Sequence, residues 1–421
     1  MYKKTVFDNG LKLVTYTMPR MQSVSMGIWI SVGGRFESSR DKGISHYLEH
    51  MLFKGSKKYS CRSIKESIEG VGGVLNGFTS EELTCYFVKI PARHMISALD
   101  VLSDMVLHPR VPESEAQKER TVILEEIKMY KDLPQSYVYE LLDELLWPDQ
   151  PLGAPIIGTE ESVRALNREK LLFFKESFYT AANIVISAAG ALDEARLTKL
   201  VKRNFSGLPA AQRNTFLAVQ EVQKQPQLKV FHKETEQSHL ALGFHGVPRN
   251  HSLRHAIGIL HVILGGNMSS RLFDQIREKR GLAYEIGTQI KCFHDTGTFL
   301  VHAGMDNLKV AGTISLILEE LSKAKKNLVT EDEFKRGRDF YLGQLLLALE
   351  DTLDHMLWIG ESTSTLDMVY SLESITKKVT AVTREDIRRA AQMLFTDCRL
   401  NGALIGPLET QEDSLRKNLH F

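Results

Sequence analysis

Three segments in the first half of the chain reappear, in the same order and at nearly the same spacing, in the second half. LEHMLFKGS, which follows a strand pattern and a Gly-rich turn, is answered by LHVILGGNMS after the strand pattern HLALGFHG. VPESEAQKER, ahead of one long helical stretch, is answered by VTEDEFKRGR ahead of another. NIVISAAGAL is answered by RLNGALIGPL, each a strand closing on glycine. Pairings that share an offset of roughly half the chain restrict the fold to two similar domains related by duplication. Strand candidates such as SVSMGIWISVG and ELTCYFVKI, set among long amphipathic helices, make each domain α+β: mixed, largely antiparallel sheet packed with helices. With 421 residues, 43% of them hydrophobic, each copy has enough apolar side chain for its own core. The stretch from Phe205 to Gln227 lacks periodicity and is rich in glutamine and small residues. It is the linker candidate, and the expected boundaries are 1–208, a linker over 209–228, and 229–421.

Composition removes several classes of function. The 53 basic residues nearly cancel the 52 acidic ones, so no long-range field draws nucleic acid or an anionic membrane to the surface. Cys61, Cys85, Cys292 and Cys398 are far apart and form no CxxC pair, which fits reduced thiols in an intracellular, cytoplasmic setting. The N-terminus alternates as strand, Asn9-Gly10 turn and strand, without the apolar run of a signal peptide. No segment approaches the roughly 20 apolar residues of a membrane span.

The duplication also isolates what is special in the first copy. His46, Glu49 and His50 pair with Gly258, His261 and Val262, and Glu119 and Glu126 pair with Gly337 and Gln344. Whatever those five side chains do, the second copy cannot repeat it. Ile44, Tyr47, Leu48, Met51 and Leu52 fall at helical spacing and define a core-facing stripe, and Lys54-Gly55 reads as the helix stop. His46, Glu49 and His50, spaced i, i+3 and i+4, leave the adjoining side of that helix together. Two imidazoles one turn apart can grip one metal ion, and the carboxylate between them can act as general base on a water there. A His-x-x-x-His pair on an amphipathic helix is also common without metal.

A distant helix adds weight to the metal. In PESEAQKERTVILEEIKMY, positions Glu119, Val122, Ile123, Glu126, Ile127 and Tyr130 follow a buried-stripe pattern, which puts two carboxylates on a core face. Burying an ionised carboxylate without a partner costs several kcal/mol, and a cation or a buried histidine relieves it. Glu125 falls off this stripe, so helical phase favours Glu126 as a ligand. His46, His50 and Glu126 would leave the fourth position for water, as in a catalytic zinc site. Glu119, on the same face, either orients a ligand or forms an ordinary buried salt bridge.

His-x-x-Glu-His is the inverzincin signature, and with ERTVILEEI downstream the chain resembles the pitrilysin-type metallopeptidases over nearly its full length, including SSRLFDQIREKRGLAYEIG in the second half. It is most similar to bacterial relatives of the mitochondrial processing peptidase β subunit. The resemblance implies one zinc ion per chain held by His46, His50 and Glu126, Glu49 as base, and Glu119 as the family's additional glutamate. It implies that Arg277 and Tyr284, seven residues apart, hold the substrate carbonyl and its oxyanion, as suits a guanidinium and a phenol. By spacing alone Arg277 is one of several charges on a solvated helix face.

GGVLNGFTSEELTCYF reads as a hairpin whose first strand is a candidate exposed edge, and the family binds peptide by adding a strand to such an edge. Asn76 and Gly77 would then touch substrate backbone; Gly77 stands where the family usually has alanine. The resemblance further implies a homodimer closing around a chamber, with Arg277 and Tyr284 of one subunit facing the metal of the other. The expected activity is a zinc metalloendopeptidase acting on peptides or unfolded, presequence-like segments. The alternatives are a structural or assembly subunit, whose metal motif is typically eroded in that family, and a peptide-maturation partner that needs a second gene product.

Overall fold

The computed structural model describes residues 2–421. Its strands, in chain order, are β1 (Lys3–Val6), β2 (Lys12–Thr17), β3 (Ser23–Ile30), β4 (Val74–Thr79), β5 (Thr84–Pro91), β6 (Ile184–Gly190), β7 (Gln227–His232), β8 (Ser238–His245), β9 (Ala283–Cys292), β10 (Gly297–Met305) and β11 (Leu400–Gly406). They form two sheets, ordered β1-β2-β6-β3-β5-β4 and β7-β11-β8-β10-β9. Once β1 is set aside the two orders coincide. The pairing sense coincides too, with β2–β6 and β7–β11 parallel and every other neighbour pair antiparallel. The duplicated α+β architecture expected from the repeated segments is therefore observed.

The strand β3 explains how the first sheet sits in its core. Its sequence SVSMGIWI is buried almost without a break, as expected of a central strand covered on both faces. Val24, Met26, Ile28 and Ile30 join a large cluster with Leu48, Met51, Leu102 and Ile123. Trp29, on the opposite face, packs with Val14, Phe87, Val185, Met356 and Ile359.

Met356 and Ile359 belong to the helix Thr352–Leu366, which lies far along the chain in the second copy and packs on β2, β3 and β6. Its counterpart in the first copy, the helix Pro134–Leu146, packs in the same way on β7, β8 and β11. The compact units are accordingly not continuous halves. One gathers the chain up to Lys128, Ala154–Leu217 and Leu346–Ser371, and the other Met129–Gly153, Ala218–Leu345 and Leu372–Phe421. The continuous boundaries drawn at 208 and 229 miss this exchange, because a helix repeats its pattern in either sheet's company and local periodicity does not say which sheet it covers.

Side-chain size distinguishes the two helices. A Cβ on Gly360 would stand 2.0 Å from Trp29 Nε1, so only glycine lets this helix lie on the tryptophan. In the other unit a Cβ on Gly243 would stand 2.8 Å from Leu142. The equivalence that pairs Glu119 with Gly337 also pairs Leu142 with Gly360, so large and small have changed places between helix and strand. The segment read as a linker has no regular structure over residues 206–226 but is tied down. In the first unit the Arg35 guanidinium lies 3.9 Å over the Phe216 ring and donates to Leu217 O at 3.1 Å.

Candidate metal centre

The motif helix, Ile44–Leu52, starts at Gly43, which has φ of +87°. A Cβ there would stand 2.5 Å from Ile157 O, so the left-handed turn and the close backbone approach both demand glycine. No acidic residue sits in the helix's first turn. Its free N–H groups are met from outside, by the buried Glu37 carboxylate, which accepts from Gly43 N and Ser45 N at 2.8 Å each. Burial pushes the Glu37 carboxyl up to about 7, against the lowering effect of those bonds. The helix ends at Leu52, and Gly55, with φ of +125°, turns the chain as the Lys54-Gly55 pair suggests.

Ile44, Tyr47, Leu48, Met51 and Leu52 are all buried, as the helical spacing predicts. Tyr47 also fixes the neighbouring helix, Glu113–Asp132, because its hydroxyl donates to Ala116 O. That bond sets where the downstream glutamates stand along the motif helix. On the glutamate helix Glu119, Ile123 and Ile127 are buried. Val122 is 49% exposed and Tyr130 36%, so the buried stripe is narrower than the i, i+3, i+4 pattern predicts. Those two positions lie at the margin of the stripe, where the core offers no neighbour.

The two helices bring three donors together. Glu126 Oε2 lies 4.0 Å from His46 Nε2 and 3.9 Å from His50 Nε2. All three ligand-capable atoms lie within 4.8 Å of one another. Tetrahedral ligands at ~2.1 Å from a zinc ion stand roughly 3.4 Å apart, so small side-chain adjustments suffice to hold one. Two imidazole nitrogens and a carboxylate oxygen also suit that ion chemically.

Electrostatics favour the same use. Burial, reinforced by the neighbouring His50, pulls the His46 imidazole down to about 3, so it stays in the neutral form that a metal ligand needs. His50 Nδ1 lies 3.1 Å from Glu119 Oε2. Its proton therefore sits on the far side of the ring, and the lone pair of Nε2 faces Glu126. Burial raises the Glu126 carboxyl, and His50 opposes the rise.

Glu49, 9% exposed, is directed by the Thr79 hydroxyl, which donates to its Oε2 at 2.6 Å. Burial raises the Glu49 carboxyl, and the Thr79 bond holds it partly down. A carboxylate raised by burial and aimed by one fixed donor is suited to taking a proton from a water beside it. Thr79 ends β4, which pairs with β5 alone and has a free edge. Asn76 and Gly77 lie on that strand, with Asn76 Oδ1 accepting from Gly77 N at 2.8 Å. A Cβ on Gly77 would stand 3.2 Å from both the Phe53 ring and Cys85 O, a tight approach.

In the second unit the equivalent ground is filled. A Cβ on Gly258 would stand 2.7 Å from the Tyr341 ring, and one on Gly337 2.8 Å from Ile263. The helices there meet where the first unit keeps His46 and Glu119. Arg277 lies in a wide, π-type turn, Phe273–Glu278, rather than on a solvated α-helix. Its guanidinium stands 4.7 Å from the Phe273 ring centre and 5.3 Å from that of Tyr284, which is 74% exposed. The two residues singled out in this half are thus neighbours.

Sequence reading missed Glu37, Lys54 and Thr79 as parts of this site. An acidic residue upstream of a helix start is a capping signal, although Glu37 lies farther out than a capping box allows. Thr79 and the ion pair between Lys54 and Glu119 have no local signature.

The chain is similar to known peptidases over most of its length. The family described as Insulinase (Peptidase family M16) matches residues 12–160, and Peptidase M16 inactive domain matches residues 165–341. A zinc protease of Bacillus subtilis is 36% identical over 397 residues, covering 94% of this chain and 96% of its own. A zinc protease of Streptomyces coelicolor is 35% identical over 418 residues, covering 98% and 91%. A protease from Helicobacter pylori shares the fold, with a TM-score of 0.92 at 22% identity, covering 97% of this chain and 99% of its own.

Proposed function

Since the chain belongs to the M16 family of peptidases, we propose that it is a zinc-dependent metalloendopeptidase with His46, His50 and Glu126 as ligands and Glu49 as general base. The observation that carries this reading is the approach of Glu126 Oε2 to within 4.0 Å of both Nε2 atoms. A zinc ion there supplies Lewis acidity, which polarises a peptide carbonyl and acidifies the attacking water. The protein's own part is proton management and orientation. Glu49, one residue from His50 and aimed by Thr79, takes the proton of the attacking water and returns it to the leaving amine. Glu119 keeps the His50 ring in one tautomer.

The substrate of this reading is a peptide or an unfolded segment added as a strand to the free edge of β4, so that Asn76 and Gly77 meet its backbone. The proximity of that edge to Glu49, through Thr79, supports it. Main-chain pairing favours loose sequence preference. Arg277 and Tyr284 act together as donors to the substrate carbonyl and its developing oxyanion, and the family resemblance supplies them from the partner of a homodimer closed around a chamber.

Cleavage of a quenched fluorescent peptide tests the proposal, with chelator added, zinc restored, and Glu49→Gln alongside. Activity lost to chelator, regained with zinc and absent in the variant is expected. Equal rates for the variant and the parent would remove Glu49 as base. A gel-filtration mass of a single chain would remove the composite site and leave the metal centre standing.

A further inference from the structure

We propose that Lys54 is a positioning residue for the metal centre, acting through Glu119; this rests on the zinc site proposed above. Its ammonium forms an ion pair with Glu119 Oε1, while the other carboxylate oxygen, Oε2, lies 3.1 Å from His50 Nδ1. Glu119 is 7% exposed, so it has no water shell to hold it and its two partners fix its plane. A carboxylate bound at both oxygens cannot rotate away from the imidazole, and the imidazole cannot turn its Nε2 away from Glu126.

Charge argues the same way. The site collects three carboxylates, Glu49, Glu119 and Glu126, against which a divalent ion leaves one negative charge unmatched. Lys54 is the cation in contact with that set, and with it the sum is zero. Removing the ammonium leaves Glu119 buried with the His50 imidazole as its remaining partner. Such a group is costly to keep in place, and once it swings away from His50 the imidazole is free to turn its Nε2 off the metal position. The place of Lys54 follows from the motif helix itself. The helix ends at Leu52, but Lys54 N still donates to Met51 O, so Lys54 continues the last turn and follows His50 by four positions on the same side.

The test is zinc affinity of the metal-stripped protein, measured by competition with a chromophoric chelator, beside the thermal midpoint without metal. Lys54→Met is expected to bind zinc ten- to a hundred-fold more weakly, the range seen when the partner of a ligand is lost. Lys54→Arg, which keeps the charge, should stay within about three-fold of the parent, and Lys54→Gln should follow Lys54→Met. On a Glu119→Gln background, Lys54→Met should add no further loss. Affinity of Lys54→Met within two-fold of the parent overturns the role of Lys54, as does an equal loss on the Glu119→Gln background or a loss that Lys54→Arg shares. Parent protein that takes up no zinc dependent on His46 would instead overturn the metal centre, and this inference with it.

Discussion

Gly360 lies directly on Trp29, with no room between them for a methyl group: a Cβ on the glycine would stand 2.0 Å from the indole nitrogen. The indole in turn donates to Ser187 Oγ at 2.8 Å, so it cannot swing aside without losing that bond. This contact seats a helix of the second copy on the sheet of the first unit, the sheet whose other face packs with the metal-centre helices. The stability of the first unit therefore depends on a residue far from Trp29 in sequence.

Gly360→Ala should destabilise the protein by about 2 kcal/mol or more through overpacking, despite the usual gain in helix propensity. Gly343→Ala, in the helix Glu331–Ala348 with open space around the new methyl, should be neutral or stabilising by ~0.5 kcal/mol. Urea unfolding of both variants measures the contrast. Equal midpoints would show that the Trp29 contact yields without cost.

Glu49→Gln should retain zinc and lose two to four orders of magnitude in kcat, the usual contribution of a positioned base. Glu126→Gln and His50→Ala should lose the metal along with the activity. Metal analysis of dialysed protein separates the two classes, and a zinc-free Glu49→Gln would assign that carboxylate to binding.

Thr79→Val removes the hydroxyl that holds the Glu49 carboxyl down. The acid limb of the kcat/KM profile should then move to higher pH, because the base loses its proton only at higher pH. A profile that keeps its position while its height falls would make Thr79 a packing residue only.

Glu333 accepts from Arg271 Nε at 2.7 Å and Nη2 at 2.8 Å, and this pairing, more than any other cause, lowers its carboxyl to about 2. A depressed carboxylate contributes stability that is complete above its unfolded value near 4.5 and is lost as pH falls through 2. Partial exposure screens the pair, so the contribution is about 2 kcal/mol rather than the full shift. Glu333→Gln should be less stable than the parent at pH 7 and should converge on it toward pH 2. Denaturant midpoints that stay parallel across that range would exclude the pair as a source of acid sensitivity.

What the amino-acid sequence determined by itself was everything with a short period. Helical phase put His46, Glu49 and His50 on one side of a helix and chose Glu126 over Glu125. The repeated segments announced the duplication, and the same comparison marked the second copy as bereft of the five polar side chains. The tertiary structure decided whatever depends on contacts between distant segments. It brought Glu37 to the start of the motif helix and Lys54 to Glu119, exposed Val122 and Tyr130 at the stripe's margin, and exchanged two helices between the sheets. Periodicity reports which face of an element is apolar, since that follows from backbone geometry within a few turns. Which partner covers that face is settled by the fit of one surface to another, as with a glycine that alone can lie on Trp29, and such fit has no local pattern to betray it.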